Sequence, residues 1–167
     1  MQPKEALSQI IPNILDPLGK TLAQNIQWWK LEEISENSNE KNNTYPIAVV
    51  GKGSPLIMLH GFDSSFLEFR RLVPLLSNKY QLIIPDLFGF GFCPRPNNAE
   101  YGSNSIFKHL NLLIKKINSS NIGLIGASMG GAIAMEIARQ NPDKIKQLLL
   151  LAPAGLTGKP TPIPPIL

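Results

Sequence analysis

Cysteine is nearly missing from this sequence. Cys93 is the single thiol among 167 residues, so no intramolecular disulfide can form and a disulfide-stapled scaffold is excluded. Charge is scarce as well, at 17% of residues against about 25% in an average soluble domain. No apolar run approaches the roughly 20 residues that cross a bilayer. The longest, Leu148 to Ala154 and Leu82 to Pro85, have the length of strands. The start of the chain also lacks the pattern of a secretory signal, because Lys4 is followed at once by Glu5, and Pro12 and Pro17 interrupt the apolar stretch. A reduced, cytoplasmic setting is the expectation.

What is present fits one domain, or most of one. Hydrophobic residues make up 43% of the chain, enough to bury a core at this length, and the composition excludes a disordered tail, a collagen-like repeat and a coiled coil. The net charge is +4, yet the 16 basic residues are scattered, the tightest groups being pairs such as Arg70-Arg71 and Lys115-Lys116. A nucleic-acid binder concentrates such charge on one face, so this charge reads as a solvated surface and no nucleic-acid partner is expected.

Three segments follow from the patterning. Residues 1–25 carry Leu7, Ile11, Ile14, Leu18 and Leu22 at helical spacing, broken by Pro12 and Pro17 into one kinked amphipathic helix or two short ones. This arm has no basic polar face, so it is expected to pack on the domain rather than on a membrane surface. Residues 26–157 form the domain proper. Ile26 to Ile34 and Tyr45 to Val50 read as strands on either side of a polar loop, Glu36 to Asn43. From Leu56 onward, short apolar strands (Leu56–Leu59, Gln81–Pro85, Asn121–Ile125, Ile145–Leu151) alternate with amphipathic helices (Phe66–Leu76, Ile106–Ile117, Met129–Gln140). That alternation predicts an α/β fold with a mostly parallel sheet covered on both faces and an antiparallel N-terminal edge. Residues 158–167 are a proline-rich stretch, incompatible with helix or central strand, and are expected to be the start of a cap or linker.

Chemistry is concentrated between the third apolar strand and its helix, at Gly126-Ala127-Ser128-Met129-Gly130-Gly131. This is G-x-S-x-G in a strand–turn–helix context, the nucleophile elbow. A sharp turn of this kind lifts Ser128 above the sheet edge in a strained backbone conformation, and small residues at Gly126 and Gly130 let the helix pack against the strand. Ser128 then sits at a helix N-terminus, where free N–H groups favour developing negative charge, and the Met129 amide points at a carbonyl oxygen under attack. A bare five-residue motif is weak, and two others raise it. His60-Gly61-Phe62 ends an earlier strand, where the Phe62 amide supplies a second oxyanion donor. Asp86-Leu87-Phe88-Gly89-Phe90-Gly91 ends the strand between them. All three lie at the carboxyl ends of parallel strands, where α/β proteins place their sites.

With these residues the sequence resembles the α/β-hydrolase superfamily, in particular its group of esterases, C–C bond hydrolases and cofactor-free haloperoxidases. The match runs through His60-Gly61, the loop Asp86-x-x-Gly89-x-Gly91 and Gly126 to Gly131, in the family's order, and covers about residues 44 to 157. Cys93 departs from it, standing where serine is frequent. The resemblance implies a three-layer α/β-hydrolase fold, acyl chemistry at Ser128 through an acyl-enzyme, oxyanion donors at Phe62 and Met129, a small-molecule substrate, and no metal or organic cofactor. Serine at the elbow argues against dehalogenase or epoxide-hydrolase chemistry, where the family has aspartate. Ser-Met-Gly-Gly also resembles C–C hydrolases of dienoate type, the second reading. A non-catalytic binding domain is the third.

The rest of a catalytic triad is missing. Serine needs a base that is itself oriented by an acid, in the chain order serine, acid, histidine. No histidine follows Ser128, and the later acids are Glu136 and Asp143. Glu136, eight residues along one helix, stands roughly 12 Å away at ~1.5 Å per residue. Asp143 lies beyond that helix. Upstream, His60 is expected to shape the oxyanion loop, His109 to be a partly buried structural side chain, and Asp86 to anchor its own loop. The chain is therefore expected to be a truncated reading frame that stops after the sixth strand, with the last two strands of the family's sheet missing. A polypeptide completed by another chain and an inactive derivative are the alternatives. An apolar last strand with nothing to pair with it predicts self-association.

Overall fold

A computed structural model describes residues 3–31 and 44–156. The polar loop Glu36–Asn43 and the proline-rich 158–167 lie outside the described residues. The N-terminal arm forms two short helices rather than one kinked helix. Helix α1 (Pro3–Ile10) runs into a 3₁₀ turn, and α2 (Pro17–Gln24) begins anew. Pro17 explains the restart, since proline suits the first turn of a helix and not its interior. The Asp16 carboxylate caps α2 by accepting the N–H groups of Leu18 and Gly19 and also accepts from Arg70 Nε at 2.5 Å.

Six strands make one sheet: β1 (Ile26–Lys30), β2 (Thr44–Val50), β3 (Ser54–Leu59), β4 (Tyr80–Pro85), β5 (Ile122–Ala127) and β6 (Ile145–Leu151). Their order across the sheet is β1-β2-β4-β3-β5-β6. β1 and β2 are antiparallel to each other, and β2 is antiparallel to β4. The strands from β4 through β3 and β5 to β6 are parallel. The expected α/β architecture with an antiparallel N-terminal edge is therefore present, and β1 ends at Lys30, short of the expected Ile34.

Helices α4 (Ser103–Lys116) and α5 (Met129–Gln140) cover one face. Their buried Ile106, Leu110, Leu113, Ile133 and Ile137 pack against Ile57, Leu59, Ile83 and Leu124 of the sheet. The arm covers the other face, where Leu7, Leu22 and Ala23 meet Met58, Phe66, Phe69 and Ile84.

One element departs from the expectation. The helix predicted over Phe66–Leu76 is a 3₁₀ turn, Phe66–Phe69, followed by a single turn of α3 (Val73–Leu76). Pro74 is the cause. In a continuous helix its ring would clash with the carbonyl of Arg70, whereas near the start of α3 it has no such partner. The apolar stripe still serves, because Phe66, Phe69 and Val73 are buried.

Candidate active site

The three motifs meet because β4, β3 and β5 are neighbours in the sheet and end on the same side. β5 leads into α5 through Ser128, which has φ 51° and ψ −118°. For a side chain with a Cβ this is a sparsely populated conformation. It persists because the peptide is held on both sides: the Ser128 N–H donates to the Leu151 carbonyl at 3.0 Å, and the Ser128 carbonyl accepts from Ala154 and Gly131, both at 2.9 Å. Ser128 itself is exposed.

The turn also requires close approach. A Cβ at Gly130 would lie 2.2 Å from the Leu59 carbonyl oxygen, and one at Gly126 would lie 2.3 Å from that of Gly130. Both obstacles are backbone, so the helix can sit this near β3 and β5 only with hydrogen at these positions. Gly131 packs in the same way on Pro153. Met129 carries the first amide of α5, which has no carbonyl one turn back to reach.

Beside the elbow runs His60-Gly61-Phe62. The His60 ring is buried, and its Nε2 accepts the Leu87 N–H at 3.0 Å. An N–H can donate only to a bare nitrogen, so the ring proton sits on Nδ1, which donates to the Gly61 carbonyl at 2.8 Å. Burial lowers the pKa of this ring below the usual histidine range, against weaker upward effects of that carbonyl and the Glu68 charge. With both nitrogens engaged and the neutral form favoured, His60 has no free position for a proton from Ser128. Phe62 is exposed, its ring edge-on to Phe90 at 5.7 Å, and Asp63 next to it has φ 49°.

Asp86 is fully buried at the end of β4. Its Oδ1 accepts the Phe66 N–H at 2.7 Å and its Oδ2 the Phe92 N–H at 2.6 Å. Desolvation pushes its carboxyl up to about 6, against those two donors and Arg95. Its carbonyl takes the Cys93 thiol at 3.1 Å. Gly89 and Gly91 turn this loop at φ 87° and 51°, and Arg95 closes it by donating to both their carbonyls. The loop forms one wall of a cavity of about 830 Å³, mostly apolar, with Phe88, Phe90, Tyr101, Ile106, Met129 and Ile133 among its lining residues. Of these, Met129 is next to Ser128 in the chain, and Phe90 is the residue whose ring meets Phe62.

Other candidates stay apart. His109 is buried against Tyr45, with ring centroids 4.5 Å apart, and neither of its nitrogens has a partner among the described residues. Glu136 pairs with Arg139 on the exposed side of α5. Among the described residues no group of three or more His, Cys, Asp or Glu is placed to hold a metal ion, and no helix is long and apolar enough to cross a membrane. One contact was not legible beforehand. Glu68 Oε2 accepts the Gly61 N–H at 2.8 Å, and a glutamate in a short polar turn carries no signature of such a bond.

A serine on a strained strand-to-helix turn, at the carboxyl edge of this mixed sheet, defines the class: an α/β-hydrolase fold. The family model for the alpha/beta hydrolase fold matches residues 54–165, and the chain belongs to that family. It is 32% identical over 111 residues to 2-hydroxy-6-oxo-2,4-heptadienoate hydrolase of Pseudomonas putida, an overlap of 65% of this chain and 40% of that protein. Over 104 residues it is 41% identical to lipase 1 of Psychrobacter immobilis, covering 62% of this chain and 32% of the lipase. The chain thus spans less than half the length of these relatives. Among solved structures, the meta-cleavage product hydrolase from Pseudomonas fluorescens IP01 aligns at 30% identity with a TM-score of 0.63, over 67% of this chain and 42% of that one. A structure from Acinetobacter baumannii aligns over 98% of this chain and 50% of its own, with a TM-score of 0.72 at 23% identity. That likeness is one of fold, and it takes in the N-terminal arm.

Proposed function

We propose that residues 1–167 are the N-terminal part of a serine hydrolase that cleaves carboxylic esters with an apolar group, and that Ser128 is its nucleophile. The observation that carries this reading is Ser128 itself, exposed at φ 51° between β5 and α5. Its ψ of −118° puts it outside the left-handed well that residues with a Cβ visit in ordinary turns. In the reaction, Ser128 Oγ adds to the ester carbonyl as its proton passes to a histidine outside residues 1–167. The amides of Phe62 and Met129 stabilise the oxyanion, the alcohol leaves with that proton, and water releases the acid from the acyl-enzyme. The apolar cavity beside Met129 receives the hydrophobic group, and its volume lies within the range for small-molecule pockets. A second reading, C–C bond hydrolysis of dienoate-type ketones, is favoured by Ser128-Met129-Gly130-Gly131 and by the overlap with the heptadienoate hydrolase.

The test is serine reactivity. Among the described residues no base is positioned at Ser128, so the 167-residue chain is expected to turn over p-nitrophenyl acetate weakly, within the ~10³–10⁴-fold over water that serine proteases retain without triad members. It should also react slowly with a fluorophosphonate probe. A polypeptide extended to supply the acid and histidine is expected to label and turn over, and Ser128→Ala to abolish both. If the extended protein turns over dienoate ketones and not esters, the second reading holds. If it neither labels nor hydrolyses either substrate, the domain is a binding module.

A further inference from the structure

The peptide between Gly61 and Phe62 carries the second oxyanion donor, and its direction depends on two torsions of a residue with no side chain. Each torsion is fixed from outside. The Gly61 carbonyl accepts from His60 Nδ1 at 2.8 Å. Because a trans peptide is planar with its C=O and N–H opposed, that bond also aims the Phe62 N–H. On the other side of the Gly61 Cα, the Gly61 N–H donates to Glu68 Oε2 at 2.8 Å. A Cβ at Gly61 would stand 3.3 Å from Ser128 Cβ and 3.6 Å from that same carboxylate oxygen. Glu68 and the serine therefore both close on the same glycine.

We infer that Glu68 is a positioning residue for catalysis, one that clamps Gly61 so that the Phe62 N–H faces the oxygen bound at Ser128. The inference rests on the serine-hydrolase reading. Its place in the 3₁₀ turn gives Glu68 the reach, and the Ser65 side chain starts that turn by accepting the Leu67 N–H. The clamp also occupies the Gly61 amide, which would otherwise offer a third donor one residue out of register.

The experiment compares Glu68→Ala, Glu68→Asp and Glu68→Gln in the extended polypeptide. Glutamine keeps an acceptor at the same reach; aspartate keeps the charge and loses the reach. Alanine and aspartate are expected to lower kcat towards the ~10²-fold seen when an oxyanion donor is lost, with KM and the pH profile little changed. Glutamine should restore most of kcat. Unchanged kcat in Glu68→Ala overturns the inference, and so does a loss that aspartate rescues and glutamine does not. Should Ser128→Ala retain wild-type turnover, the serine reading fails, and the clamp is then decided on the 167-residue chain. There, amide exchange at Gly61 is expected to quicken about 10-fold in Glu68→Ala, the scale of one bond to a charged acceptor, with Tm lowered by only a few degrees. Unaltered exchange overturns the clamp.

Discussion

Replacing Asp86 with asparagine should cost stability near pH 4 and leave it little changed at pH 7.5. Two structural facts set the magnitudes. Both carboxylate oxygens accept backbone N–H groups, from Phe66 and Phe92, inside a fully buried site. Asparagine keeps one acceptor and turns an NH₂ towards the other N–H, leaving a buried donor unsatisfied at a cost of about 1–3 kcal/mol. Against this stands desolvation, which holds the Asp86 carboxyl at about 6 instead of its ordinary 3.8. A folded pKa raised above the unfolded one means that the native state gains stability below about pH 3.8 and loses it as pH rises through 6. That difference amounts to about 3 kcal/mol. At pH 7.5 the variant escapes this penalty, so the two contributions nearly cancel. Near pH 4 the wild-type carboxyl is protonated and comfortable, and Asp86→Asn should be the less stable protein by up to about 3 kcal/mol. Urea unfolding of both proteins at matched pH reads the difference, and every group other than position 86 drops out. A difference that stays flat from pH 4 to 7.5 would refute the reasoning, because Asp86 would then titrate alike in the folded and unfolded chain.

Other expectations follow from single contacts. Gly130→Ala puts a methyl group 2.2 Å from the Leu59 carbonyl, with backbone on both sides and no rotamer to relieve it. It should cost about 1–3 kcal/mol or more in urea unfolding, and a variant as stable as wild type would contradict the close packing. His109, held at about 4 by burial, contributes stability that is complete above its ordinary 6.5 and is lost as pH falls towards 4. His109→Phe should remove that acid loss of about 3 kcal/mol, and an unchanged acid limb would count against it. On β6, Leu148, Leu149 and Leu151 are 40%, 53% and 38% exposed along a strand that pairs only with β5 among the described residues. We expect the chain to associate through this edge, with Leu149→Lys raising the monomer fraction in light scattering. A monodisperse wild type at high concentration would dispose of the idea.

Local pattern carried the elements that depend on local pattern. Helix α5 and strand β6 run over the residues their apolar spacing marks, Met129–Gln140 and Ile145–Leu151. Helix α4 begins three residues before its first apolar position, because Ser103, Asn104 and Ser105 make a polar first turn with no hydrophobic signal of its own. Pro74 stands inside the stripe from Phe66 to Leu76. Its ring decides the backbone, while the stripe decides only which side is buried. The placing of β3 between β4 and β5 is a crossover that no window of sequence contains. At the site, glycines and serine could be read because their roles demand a residue type. Glu68 could not, since a bond to a backbone N–H leaves the partner without any identity to recognise.

These contacts close into one circuit. Asp86, at the end of β4, fixes the Phe66 N–H and so the start of the 3₁₀ turn that carries Glu68. Glu68 accepts the Gly61 N–H, while Leu87, next to Asp86, donates its N–H to the His60 ring, whose other nitrogen donates to the Gly61 carbonyl. Two adjacent residues of the β4 loop therefore reach the same glycine by separate routes, one through a carboxylate and one through an imidazole. A donor for a developing oxyanion is effective when it is already aimed and need not reorganise, and in the proposed reaction this circuit would do the aiming before any substrate binds. Residues that act as one unit give non-additive losses. Once Glu68→Ala has released Gly61 in the extended polypeptide, Asp86→Asn should lower kcat by much less than it does alone. Fully additive losses in that double-mutant cycle would mean that the two carboxylates act on the site separately.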